Sequence, residues 1–425
     1  MLSNKDIFFK KKILIYGLGK SGLSALKFLK KNNKIIKYDD KFKSGIKKIN
    51  AVEFDYIIIS PGIDIHKCSL SKFLKINSKK IYTDLDIFYN RYKKNNKITI
   101  TGTNGKSTTA KILYEVLKDQ KVDVRLVGNI GNPVLLETKV TNKTVFVIEA
   151  SSYQLEYSKL FSSNISIILN ISPDHLERHK TINRYVAAKF RLLKNQSKKD
   201  FSILNTKNFY IKRKLKTKIF LPKVIRLEKE INSSLLKKID NQFFKTNGNK
   251  ENLKFILEVA KVLKLKKNSL FQTLKRFKGL KYRQEIIFQS KNLKIINDSK
   301  STSFSSSVSL LKSLNNVYWV VGGQAKKGDI LLLSKKKCVS FKAYIFGKDK
   351  IFFINKLQKI MKYESFLDLK TLIKKIFLDI SLDKEISQKT ILFSPSAASF
   401  DNFKNFEHRG EYFNHLIGKY INAKL

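Results

Sequence analysis

The sequence predicts an α/β protein of three domains, and two observations carry that prediction. Short apolar runs alternate with polar helical stretches along nearly the whole chain, the pattern that builds parallel sheets with right-handed crossovers. Two glycine-rich turns each follow such a run and open such a helix, one near the N-terminus and one near residue 100. A chain of 425 residues fits two to four domains at roughly 100–200 residues each. Hydrophobic residues at 42% supply packed cores, which excludes wholesale disorder.

From about residue 10 to 92, KKILIYGLG, SALKFLKKN, KIIKYDD and FDYIIISPG read as strand, helix, strand, strand. The polar segment from Asn90 to Lys97 reads as a linker, and ITITG starts a new unit. The central region adds the strands TVFVIEA and ISIILNIS. Beyond KYRQEI lie LKIINDS, VYWVVGG, AYIFG and TILFSPS. The expected boundaries are 1–92, 93–279 and 280–425.

Charge is the most conspicuous number. Lys and Arg total 86 against 34 Asp and Glu, a net charge of +52. A nucleic-acid footprint would cluster that charge on one face. Here the lysines are spread throughout and accompany abundant Ile and Asn, as A/T-rich coding drift would produce, so no nucleic-acid partner is expected. Two cysteines cannot form a disulfide framework and fit a reducing compartment. The N-terminal apolar run is too short for a signal peptide, and no stretch is long enough for a membrane span. A cytoplasmic monomer is the expectation.

Gly17-Leu18-Gly19-Lys20-Ser21-Gly22 follows a strand and precedes a helix, with Asp39 ending the next strand about 20 residues on. That pattern makes the first domain Rossmann-like, with backbone amides facing a diphosphate at a helix N-terminus. It does not say which nucleotide binds. The second loop is sharper. Thr101-Gly102-Thr103-Asn104-Gly105-Lys106-Ser107-Thr108-Thr109 lies between the strand Ile98-Thr99-Ile100 and a helix. A turn ending in Gly-Lys-Ser cradles phosphates, its lysine on the β/γ-phosphates and its hydroxyl on Mg²⁺. The central domain is therefore P-loop ATPase-like with a mostly parallel sheet, although Ile100 occupies the first glycine position of the strict pattern.

Magnesium requires hard oxygen ligands. Glu149 ends the strand TVFVIEA, where parallel sheets present ligands, and the next strand runs into Pro173-Asp174-His175-Leu176-Glu177-Arg178-His179. His175 reads equally as a ligand or a polar loop residue, gaining the former role beside Glu149. Lys189, within RYVAAKFRL, reads by itself as one more solvated lysine. The third domain is again a Rossmann-like α/β unit.

Taken together, TGTNGKSTT, GNIG (Gly128 to Gly131), EASSYQLE, NISPDHLERH and NDSKST resemble the Mur ligase family. Its members are ATP-dependent enzymes that add amino acids to UDP-muramoyl precursors of peptidoglycan. The C-terminal SPSAASFDNFKNFEHRGEYF, with NDSKSTS and GGQAKKGD, is similar to the branch that joins D-glutamate to UDP-N-acetylmuramoyl-L-alanine. The resemblance runs from Gly17 to about Phe413. It implies that the first domain binds the UDP sugar, the central one ATP, and the third the amino acid.

The resemblance also assigns residues. Lys106, Glu149, His175 and Lys189 would be catalytic. Two Mg²⁺ ions would be held by Ser107, Glu149, His175 and Lys189, the last as a carbamate, which replaces the reading of Lys189 as a surface residue. ATP would lie on Gly102, Thr103, Asn104, Gly105, Lys106, Ser107 and Thr108, with Asn252, Arg283 and Asp298. The UDP substrate would take Gly17, Gly19, Gly22, Asp39, Ser60, Gly62 and Asn129. Lys300, Thr302, Lys326, Ser399, Phe400 and Phe406 would surround the amino acid. The chain departs from the family pattern at Lys41, Gly248-Asn249, Tyr282, Ser303 and Ser396-Ala397. A sibling Mur ligase or a folylpolyglutamate-type ligase with another acceptor shares this chemistry. An NAD-dependent oxidoreductase rests on Gly17 to Gly22 alone, and a nucleic-acid-binding ATPase on net charge alone.

Overall fold

The structure, a computed structural model, describes residues 6–41, 46–326 and 329–421, leaving the Lys48 side chain aside. Three sheets organise it. The first contains β1 (Lys12–Tyr16), β2 (Lys34–Tyr38), β3 (Tyr56–Ile59) and β4 (Ile81–Tyr82), in the order β2-β1-β3-β4. All its pairs are parallel. The second contains β5 (Lys97–Thr101), β6 (Val124–Gly128), β7 (Val145–Glu149), β8 (Ile165–Ile168), β9 (Phe201–Leu204) and β10 (Lys223–Arg226). Its order is β10-β9-β8-β5-β7-β6, also all parallel.

The third sheet contains β11 (Glu285–Gln289), β12 (Leu293–Asn297), β13 (Val317–Gly322), β14 (Phe341–Phe346), β15 (Lys362–Ser365) and β16 (Lys389–Phe393). The order is β11-β12-β16-β13-β14-β15, parallel except for the edge pair β11–β12. The expected α/β class with mostly parallel sheets is what the chain adopts. Strands buried on both faces explain the unbroken apolar runs, such as the fully buried β8 and β16.

Strand order decides where ligands can sit. In each sheet one strand leaves neighbours that follow it in opposite directions, opening a crevice at the carboxyl ends. In the first sheet this lies between β1 and β3, in the second beside β5, between β7 and β8. In the third it lies around β16, between β12 and β13. The glycine turns after β1 and β5 and the loops after β7, β8, β12, β13 and β16 lie at these carboxyl ends.

The chain divides into two compact units, 1–240 with 251–276, and 241–250 with 277–425. The first two sheets share one unit and one apolar cluster, in which Phe88 packs edge-on against Phe146 at 4.8 Å. The polar segment from Asn90 to Lys97 is tightly held. Asn95 donates to the carbonyls of Thr141 and Thr144, and Lys97, at 1% exposure, donates to Asn95 O at 2.6 Å.

Asp86 joins the two sheets. Fully buried, it accepts from Thr83 N on one oxygen and, on the other, from Ser158 Oγ and the amides of Lys159, Leu160 and Phe161. A carboxylate ringed by donors tolerates burial because each lone pair is used. Asp86→Ala leaves these donors without an acceptor, and we expect a loss of about 3 kcal/mol. Urea unfolding of the variant checks this; a loss under about 1 kcal/mol would contradict it.

Candidate active site

On the first sheet, the turn after β1 is closed by backbone geometry. Gly17 has φ +88°, its N–H donates to Tyr38 O, and a Cβ at Gly22 would lie 1.8 Å from Gly17 O. No side chain fits there. Ser60, at the end of β3, donates its hydroxyl to Gly17 O at 2.6 Å. Asp39 accepts from the amides of Leu18 at 2.7 Å and Lys41 at 3.1 Å, and these hydrogen bonds hold its carboxyl below the usual range. Gly17, Gly19, Gly22, Asp39 and Ser60 thus gather on one crevice. Gly62 lies on the loop beyond Ser60, and its carbonyl accepts weakly from Arg178 at 3.4 Å.

On the second sheet, the loop after β5 is braced from both sides. Thr103 N donates to Asn170 O at 2.9 Å, Asn104 N to Asn170 Oδ1 at 2.9 Å, and Asn170 Nδ2 to Asn104 O at 3.1 Å. Thr103 Oγ1 lies 3.1 Å from Tyr185 OH. Gly105 has φ +83°, and a Cβ there would meet Asn252 Oδ1 at 2.2 Å, so Asn252 packs directly on the turn. The helix Lys106–Asp119 begins at once, directing its first amides at the crevice. Thr108 lies in its first turn.

Charge converges behind this loop. Lys106 Nζ donates to Gly102 O at 2.9 Å and to Thr103 O at 2.7 Å. Lys189 Nζ, from the helix Ile182–Phe190, donates to the same Gly102 O at 2.7 Å. Lys189 is 1% exposed, and burial, then the neighbouring Lys106, holds its amine well below the ordinary lysine value. Glu149, at the end of β7, accepts from Ser107 Oγ at 2.6 Å on one oxygen and from Asn129 Nδ2 at 2.9 Å on the other. Asn129, assigned from sequence to the UDP substrate, thus has its amide on Glu149.

His175 follows β8 with φ +56°. Its Nδ1 is 2.9 Å from Tyr153 OH and its Nε2 3.3 Å from Asp174 Oδ2, so the ring is held from both edges. Among the described residues no three His, Cys, Asp or Glu side chains form a metal cluster. A single carboxylate beside a serine hydroxyl is instead the donor set with which Mg²⁺ completes its shell using phosphate and water.

The remaining candidates lie around the third sheet, on the segments beyond its strands and at the start of the helix Phe406–Ile421. Asp298 accepts from Gln284 N at 3.1 Å and from Ser394 Oγ at 2.9 Å, and burial pushes its carboxyl up to about 7. Lys300 Nζ sits 4.0 Å from the centre of the Phe406 ring, with the Arg283 guanidinium 5.7 Å from the same ring. Ser399 is buried, Thr302 and Lys326 are half-buried, and Phe400 is 73% exposed. The residues after Lys326 in its motif, Lys327 and Gly328, lie outside the described residues.

Several contributors escaped sequence reasoning. Arg178 donates to Glu156 at 2.9 Å and to Ile63 O at 2.6 Å, tying the His175 loop to the loop after β3. His179 is buried against Ser152 Oγ at 3.0 Å, and burial, with Arg178, pulls its pKa down to about 4. Both lie in DHLERH, but nothing local marks them as inward-facing. Tyr153 and Asn170 are visible only as polar residues next to strand ends.

Comparison with known proteins agrees with this geometry. Residues 100–269 match the Mur ligase middle domain. The chain is 33% identical to a UDP-N-acetylmuramoylalanine–D-glutamate ligase of Rickettsia bellii, covering 95% of this chain and 96% of that protein. It is also 33% identical to the ligase of that name from Francisella tularensis subsp. novicida, with 96% of each covered. Among solved structures, UDP-N-acetylmuramate–alanine ligase from Thermotoga maritima superposes with a TM-score of 0.57 at 18% identity, covering 97% of this chain and 100% of that one. The MurF ligase of the same organism, solved with ADP, also gives 0.57 at 15% identity, covering 98% and 99%. At such identities the two structures establish a shared fold.

Burial of the Lys189 amine makes stability depend on pH. Between its depressed folded value and the ordinary 10.5, the unfolded chain holds a proton that the folded chain lacks, so stability rises with pH across that window. Lys189→Met removes this term while Lys106 still serves Gly102 O. In CO₂-free buffer at pH 7 we expect the variant to be more stable than the parent by at least about 1 kcal/mol, the gap closing toward pH 10. Denaturant unfolding at both pH values measures it; parallel pH profiles would mean an ordinary lysine.

Proposed function

Because the chain belongs to the Mur ligase family, we propose that it is an ATP-dependent ligase joining D-glutamate to UDP-N-acetylmuramoyl-L-alanine in cytoplasmic peptidoglycan precursor synthesis. One observation supports this most: Lys106 and the buried Lys189 both donate to the Gly102 carbonyl in a glycine turn, beside a serine–carboxylate pair. Lysine donors, the amides of a helix N-terminus and a serine–carboxylate pair are together the groups that suit a nucleoside triphosphate with its magnesium. The full-length relatives named for D-glutamate ligation support the choice of amino acid.

In this reading the carboxylate of the UDP substrate attacks the γ-phosphorus of ATP, giving an acyl phosphate and ADP. The amine of D-glutamate then attacks the acyl carbon, the amide forms, the amine loses a proton, and inorganic phosphate leaves. Lys106 exchanges its two carbonyl partners for phosphate oxygens, where charge develops during transfer. The amides of Gly105 to Thr108 receive the β-phosphate at the helix N-terminus. Asn252 keeps the Gly105 turn in shape, and Arg283 and Asp298 serve the nucleotide.

Ser107 and Glu149 have the donor chemistry for Mg²⁺, with Asn129 orienting the second carboxylate oxygen. When bound, the metal would neutralise phosphate charge and polarise the transferring group. Lys189 suits carbamylation because burial favours its neutral amine, the form that adds CO₂. The resulting carboxylate, with His175, would hold a second ion. The three sheets divide the labour: UDP sugar on the first, ATP on the second, and D-glutamate on the third near Lys300, Thr302, Lys326, Ser399, Phe400 and Phe406.

ADP release should require UDP-N-acetylmuramoyl-L-alanine and increase strongly on adding D-glutamate, with L-alanine, L-lysine and meso-diaminopimelate inactive. Lys106→Ala should lower turnover at least about 10³-fold with an unchanged melting temperature, as for the loss of a group acting on developing charge. Turnover within a few-fold of the parent would remove the loop from the mechanism.

A further inference from the structure

Arg409 is a charged side chain that the proposed reaction leaves unused. It lies in the helix Phe406–Ile421 and is fully buried. Its Nε donates to Ser299 Oγ at 3.1 Å, and its Nη2 to the carbonyls of Ser299 at 2.7 Å and Ala397 at 3.0 Å. The Ser299 hydroxyl donates in turn to Phe406 O at 2.9 Å. Nη1 has no hydrogen-bond partner and faces the turn after β13, where a Cβ on Gly323 would lie 3.3 Å from it.

These contacts fall on each segment that carries a proposed glutamate ligand. Ser299 precedes Lys300, Ala397 stands two residues before Ser399, Gly323 three before Lys326, and Phe406 one turn earlier on the same helix. The planar guanidinium fork can serve three acceptors in fixed directions, which a lysine ammonium cannot reproduce. Its charge is only distantly balanced. Asp401 and Asp298 act on it through space, yet neither is in ion-pair contact with it among the described residues. Burying a cation with a spare donor is costly unless an anion offsets it.

We propose that Arg409 is a positioning residue that sets the specificity of the amino-acid pocket, fixing its loops and placing a buried positive charge beneath it that favours an acidic over a neutral amino acid. This rests on the reading that the third sheet receives D-glutamate. Arg409 does not touch the substrate; it acts through Ser299, Ala397 and the Gly323 turn.

The test is ADP release by the full chain, titrating each substrate in turn. Arg409→Lys keeps the charge but loses the fork, and should raise the KM for D-glutamate at least tenfold while those for ATP and the UDP substrate stay within twofold. Arg409→Met removes the charge as well. It should raise the D-glutamate KM further, and by at least threefold more than it raises the inhibition constant of D-glutamine, its neutral amide. A purely structural role would shift all three KM values alike, or weaken D-glutamate and D-glutamine equally, and either result overturns the proposal. If Arg409→Met does not fold, the KM pattern of Arg409→Lys decides alone. A parent enzyme indifferent to D-glutamate overturns the functional reading and this proposal together. A parent that uses D-glutamate, with a parental KM in Arg409→Lys, overturns only the proposal.

Discussion

The Gly102 carbonyl accepts from both Lys106 and Lys189, and the central sheet is arranged around that shared acceptor. Two ammoniums on one oxygen would repel each other, and burial strengthens the repulsion. The protein lowers this cost by making Lys189 the easier amine to leave neutral, since it is the buried one. Asn170 and Thr103 hold the loop in the conformation that presents Gly102 O to both lysines. Ser107, Glu149 and Asn129 form the adjoining polar chain, so positive and negative groups lie side by side.

Strand order puts this chemistry where it is. All three sheets place their motif loops at carboxyl ends beside a reversal of strand order, where backbone amides and helix N-termini face an open crevice. The first two sheets are bound through shared apolar packing and through Asp86, and the loops above them through Arg178. The loop after β3 and the loop carrying His175 are therefore parts of one framework, because the Arg178 guanidinium spans from Glu156 to Ile63, and Ser60 links the Gly17 turn to it.

Much of this was legible in the sequence, for identifiable reasons. Glycine turns report backbone geometry directly: Gly17, Gly22 and Gly105 sit where a Cβ would collide with backbone or with Asn252, so residue type and conformation are locked together. Apolar runs reported buried strands for the same local reason. Lys189 was not legible from its surroundings, because a lysine in an amphipathic helix looks solvated until Gly102 and Tyr185 are known to enclose it. Family resemblance alone singled it out. The segment from Asn90 to Lys97 looked like a free linker because its asparagines are polar, yet Asn95 caps carbonyls more than forty residues away in sequence. Arg409 was invisible for a similar reason: helical spacing says which face it occupies, not that the face is buried against Ser299 and Ala397.

The central claim is that burial, with Lys106 sharing the Gly102 carbonyl, holds the Lys189 amine well below the ordinary lysine value. Lysine-¹³C NMR of the full chain in CO₂-free buffer, with Lys189 assigned from the Lys189→Met spectrum, measures its charge state directly. The account predicts a Cε titration midpoint displaced well below 10.5, with a carbamate signal appearing when bicarbonate is added. A Lys189 resonance that titrates near the ordinary lysine value of 10.5 would contradict it.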